Sequence, residues 1–183
     1  MRKLFLLAFM AMSTFVANAQ IKVQESFTND LIIIGNISAG TVMNALGDGS
    51  THLAEHRVYC RIYKDKTTYG ILVDTQNRFD DDFEFALGQN ISQARESIEI
   101  IMKFMQENPL KTSLTIEDED NRKIQLNLKT KKSVTLDAID MNGEIVCDKV
   151  VLNYSNLERA LKLLDKKAEE KVIKAKNKNL GLQ

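Results

Sequence analysis

Apolar residues in this chain recur at every second position, then at helical spacing, then at every second position, then at helical spacing again, an order that leaves few folds open. Val58, Cys60 and Ile62 alternate with Tyr59, Arg61 and Tyr63, and after a polar turn at residues 64–67 the alternation resumes at Tyr69, Ile71 and Val73. That is a hairpin pattern. Over residues 90–107 the stripe becomes Ile91, Ala94, Ile98, Ile101, Met102 and Met105, widened by Ile100 and Phe104, with Arg95, Glu96, Glu99 and Lys103 opposite. An amphipathic helix follows, which Asn108-Pro109 ends.

Strand periodicity returns at Leu114 and Ile116, at Ile124, Leu126 and Leu128, at Val134, Leu136 and Ala138, and over residues 145–152. Asn142-Gly143 tolerates the positive φ of a tight hairpin turn, so these strands read as a meander. A second helix is expected to start at Ser155, with Glu158 completing a capping box, and to carry the stripe Leu157, Leu161, Leu164, Ala168 and Val172. The fold class is α+β: an antiparallel sheet, hairpin plus meander, packed in two layers against two amphipathic helices. A faint self-similarity at an offset of about 65 pairs Arg57 with Arg122, Lys64 with Lys129, Lys66 with Lys131, Leu87 with Leu152, and Asn90 with Ser155. Any two strand-turn-strand-helix units would share much of it, so the similarity is read as chance.

The start of the chain reads as an export signal. Arg2 and Lys3 precede an apolar run at residues 4–12, and Ala17-Asn18-Ala19 is a small-x-small cleavage site, which puts the mature N-terminus at Gln20. An apolar run ending near Val16 is shorter than the roughly 20 residues of a membrane-spanning helix. No cysteine lies at the cut for lipid attachment. A soluble mature chain in the periplasm or outside the cell is expected, forming one α+β domain over residues 20–183. Without Arg2 and Lys3 the 25 basic residues fall to 23 against 25 acidic, which does not suit a nucleic-acid partner.

Cys60 and Cys147 are the only cysteines. In an oxidising compartment a bridge between them would close a long loop and contribute about 3 to 5 kcal/mol. The alternative is two separate buried thiols.

Several motifs carry chemistry on paper. His52-Leu53-Ala54-Glu55-His56 spells H-x-x-E-H, and resembles the zinc motif of the inverzincin metallopeptidases over these five residues. On a helix the two histidines would share a face and hold Zn²⁺, Glu55 would activate bound water, and Glu84 or Asp82 would complete the ligands. The other reading is a polar strand start or a short surface helix. Residues 35–41 have the glycine spacing and final hydroxyl of a phosphate loop but lack its Lys, so a turn between two short strands is expected. The acidic runs at residues 80–82 with Glu84, and at residues 117–120, lack the Gly and distal Glu of a calcium loop and read as solvated turns. Lys166, Lys167, Lys171, Lys174, Lys176 and Lys178 read as a solvated helix end fraying into a tail.

The functional expectation is an exported, non-catalytic binding or structural interaction protein without a cofactor, whose partner is a protein, glycan or small molecule. One alternative is a small zinc-dependent hydrolase using His52, Glu55 and His56. Another is an apolar-ligand carrier in which Ile100, Phe104 and the methionines line a pocket.

Overall fold

The structure, a computed structural model, describes residues 29–43, 51–63, 66–74, 83–118, 121–139 and 142–179, with backbone alone at 38–43, 51–54, 74, 146–149 and 179. The expected leader and cleavage site lie outside the described residues.

The chain is α+β, and its strands form two four-stranded antiparallel meanders, each followed by a helix. The first sheet has the order β1 (Asp30–Met43), β2 (Thr51–Tyr63), β3 (Lys66–Asp74) and β4 (Phe83–Gly88), and leads into α1 (Ile91–Glu107). The second has the order β5 (Ser113–Glu117), β6 (Lys123–Thr130), β7 (Ser133–Ile139) and β8 (Ile145–Asn153). It leads into α2 (Tyr154–Leu163), a π-helical turn (Leu164–Ala168) and α3 (Glu169–Asn179). The hairpin, the meander and both helices stand where the period of the sequence puts them. The buried faces of both sheets and the buried stripes of the helices form one hydrophobic cluster.

The two halves match more closely than chance similarity requires. The inward triplets Val58, Cys60, Ile62 and Ile124, Leu126, Leu128 are 66 positions apart, and Tyr69, Ile71, Val73 and Val134, Leu136, Ala138 are 65 apart. Phe85 and Leu87 likewise precede Val150 and Leu152 by 65. Strand order and the following helix also repeat, so the faint offset marks a real structural repeat.

β1 corrects the expectation of a turn at residues 35–41, because that segment is continuous strand. Its pairing with β2 slips twice, between Ile33 and Gly35 and between Asn36 and Ser38. Each bulge inserts one residue and disturbs the alternation by which a strand is recognised. The inserted residues, Ile34 and Ile37, are both buried. α2 and α3 close over this strand. Arg159 Nη1 donates to the Ile37 carbonyl at 2.9 Å and Lys171 Nζ to the Ile33 carbonyl at 3.0 Å. A Cβ on Gly35 would lie 2.8 Å from Leu163 Cδ2, so the missing side chain lets the helix approach.

The helices are antiparallel neighbours, with Arg95 on Asp165 at one end and Gln106 on the Tyr154 hydroxyl at the other. Asn90 caps α1 by accepting from Gln93 N at 2.9 Å. Beyond its C-terminus, Lys131 on the β6–β7 turn donates to the Gln106 carbonyl at 2.7 Å and also to that of Asn108, where a cation suits the helix dipole. The capping box expected at Ser155 does not form. The helix starts one residue earlier, and its N-cap, Asn153, makes no side-chain cap bond. Ala160, Leu164, Ala168 and Val172 are buried in steps of four. Such steps drift around a helix of 3.6 residues per turn, and the wider π-turn takes up the drift.

The outer face of the first sheet also buries apolar groups, namely Tyr59, Leu72 and Ala86. Gly70 sits between Tyr59 on β2 and Ala86 on β4.

Candidate functional site

The H-x-x-E-H motif lies on β2, a strand paired without a break to β3 from Glu55 to Tyr63. Residues four apart on a strand are separated by about 13 Å, and their side chains stand perpendicular to the sheet rather than converging on one ion. Adjacent residues point to opposite faces, which separates Glu55 from His56. Glu55 lies on the outer face and accepts from Arg57 Nε at 3.1 Å and Nη2 at 2.6 Å. The side chain of His52 lies outside the described residues.

His56 points inward with Val58 and is fully buried, and its lateral neighbours are Ser38 on β1 and Val73 on β3. Among the described residues, neither ring nitrogen has a hydrogen-bond partner. Burial alone pushes its pKa down to about 4, so the ring stays neutral.

Of the two third ligands considered for zinc, Asp82 lies outside the described residues. Glu84 lies on the outer face, where Arg61 Nε donates to it at 2.7 Å and Arg61 Nη2 makes a second, shorter bond. Among the described residues, no three His, Cys, Asp or Glu side chains converge closely enough to hold a metal ion.

Cys60 is a free, buried thiol, so the two-thiol alternative describes it and no bridge joins it to Cys147. It sits opposite Tyr69 and shares a hydrogen bond with it, while burial raises its pKa to about 11. Nucleophilic attack needs the thiolate, which is scarce at such a pKa.

The acidic run at residues 117–120 is not simply a solvated turn, since the Asp118 carboxylate is fully buried. It accepts from Arg122 N at 2.9 Å and Arg122 Nε at 2.8 Å. Arg122 also donates to the Glu84 carbonyl, and its guanidinium carbon lies 4.8 Å from the centroid of the Phe83 ring. Arg122 therefore gives the buried Asp118 carboxylate its hydrogen-bond partners and ties the β5–β6 turn to the start of β4.

The run at residues 80–82 lies outside the described residues. The lysine-rich helix packs over β1, where Lys171 reaches Ile33, and the charges of Lys176 and Glu169 act on Cys60 and Tyr69. Contrary to the expected fraying, this segment is helical through Asn179.

The apolar stripe of α1 packs rather than opens. Ile98, Ile101, Phe104 and Met105 belong to the core, and Ile100 is half exposed.

Comparison with protein-family models, with curated proteins and with solved structures returns no match for this chain.

What sequence reasoning missed here is the burial of single polar groups. Nothing in the pattern distinguishes Asp118 from its acidic neighbours except an Arg four residues on. His56 does stand in register with Val58 and Cys60, which is a signal that it belongs to the inward face.

Proposed function

We propose that this chain is an exported, non-catalytic module that acts by binding or structural interaction outside the cytoplasm. The observation that carries the reading is the placement of His56. A histidine with both nitrogens unpartnered in an apolar environment, and with Glu55 on the opposite face, serves the core rather than a metal or a substrate. Other groups suited to chemistry are tied into the fold as well. Glu55, Glu84 and Asp118 each hold an arginine, and the Cys60 thiol stays protonated. The leader pattern supports the location, and the near balance of charge favours a protein, glycan or small-molecule partner over nucleic acid.

Elemental analysis of the chain from Gln20, purified without chelator, tests this reading against the hydrolase. Zinc far below one ion per chain is expected, with no change in His52→Ala. One zinc per chain, lost in His52→Ala, overturns the proposal.

A further inference from the structure

We propose that α3 and the π-turn before it pair antiparallel with the same segment of a second copy of this chain, across a twofold axis level with the midpoint of residues 171 and 172. It rests on the interaction reading and names the partner. On the side turned away from buried Ala168 and Val172, the exposed residues run Asp165, Glu169 and Glu170, then Ile173, Lys174 and Lys178, so acids dominate the first half of the face and bases the second. They line one open depression of the surface. Arg95 holds Asp165, but among the described residues no ion pair within the chain holds Glu169, Glu170, Lys174 or Lys178.

Such a face complements itself when two copies run in opposite directions. Glu169 and Lys174 stand on opposite flanks of it at equal distances from its midpoint, so the axis lays Glu169 of one copy against the partner's Lys174 and the reverse. Asp165 meets the partner's Lys178 one turn further out, and Lys166, the one base in the first half of the face, meets the partner's Asn177. A rise of about 1.5 Å per residue puts the two Ile173 positions about 4.5 Å apart along the helices, beside the axis. The helix dipole also favours acids before bases, but it gives no reason for an Ile 51% exposed at the centre of that face. A contact about 20 Å long is smaller than a standard protein interface, so the dimer is weak and reversible. It forms without an ordering cost, because the helix is already held by Ala168, Val172 and the Lys171 bond to Ile33.

Sedimentation equilibrium tests the proposal, using the chain from Gln20 because an apolar leader would associate by itself. A dimer with a Kd on the order of 10 to 100 µM is expected, weakening as salt shortens the screening length from about 10 Å at 0.1 M to about 3 Å at 1 M. Glu169→Lys and Lys174→Glu change exposed side chains, and each sets like charges face to face twice per dimer. Each should weaken association by about tenfold or more, with an unchanged circular dichroism spectrum. An equal mixture of the two variants restores opposite charges at both contacts and should recover the parental affinity. Variants that had merely disturbed the fold would not recover on mixing. The proposal is overturned by a monomer at every concentration up to about 500 µM at low salt, by a dimer that either variant retains at parental affinity, or by a mixture no tighter than its components. Each of these results can occur with the zinc measurement as expected, so failure here is distinguishable from failure of the interaction reading.

Discussion

Gly70→Ala should destabilise the protein by about 3 kcal/mol or more, lowering the melting temperature by roughly 10 °C for a chain of this size. A Cβ at this position would lie 2.0 Å from the Phe85 carbonyl oxygen and 2.7 Å from Tyr59 Cε1. The first neighbour is backbone in the next strand, so no side-chain rotation relieves the clash. The β3–β4 pairing must open, in a register that already slips between Tyr69 and Gly70. Tyr59 loses its seat at the same time, because its ring covers the space that the glycine leaves. Gly143→Ala provides the contrast. Its φ of 86° disfavours a side chain, but nothing lies within 4 Å of the added methyl, so a cost of only about 1 to 2 kcal/mol is expected. Thermal unfolding of the two variants in parallel separates steric from conformational cost. Equal, small losses would show that β3 and β4 are not paired as described.

The second large effect is acid destabilisation through His56. Its pKa is lowered from the ordinary 6.5 to about 4 in the folded protein, so the fold holds the neutral ring and the unfolded chain binds the proton more readily. The resulting stability is fully present above pH 6.5 and is lost as pH falls from 6.5 to 4, by about 3 kcal/mol in total. His56→Leu removes the titrating group and both unpartnered nitrogens. It should be at least as stable as the parent at pH 7, and should lack this share of the pH dependence. Urea midpoints measured from pH 7 to pH 4 test both points. A variant as acid-sensitive as the parent would contradict the assignment.

Legibility in the sequence followed regularity. β5 to β8 could be read because Ile124, Leu126, Leu128 and their partners alternate without interruption, and α1 because its stripe is wide and its stop is Asn108-Pro109. β1 could not, since its two bulges place Ile34 and Ile37 out of period and its glycines imitate a turn. β4 was missed because Phe83, Phe85, Ala86, Leu87 and Gly88 are all buried, which erases alternation. At the candidate site, the five letters of H-x-x-E-H were equally compatible with helix and strand. The choice between them is made by pairing with β3 and β1, a long-range effect that local spacing does not encode. The same holds for Asp118, whose burial depends on the approach of a turn to a strand far away in sequence.

His56 is read as a neutral core residue rather than a ligand. Nitrogen-detected NMR of the imidazole, titrated with acid and then with Zn²⁺, tests it directly. A ring that stays neutral until about pH 4 is expected, with signals that stoichiometric zinc leaves in place. Protonation between pH 6 and 7, or zinc-induced shifts shared by His56 and His52, would contradict it.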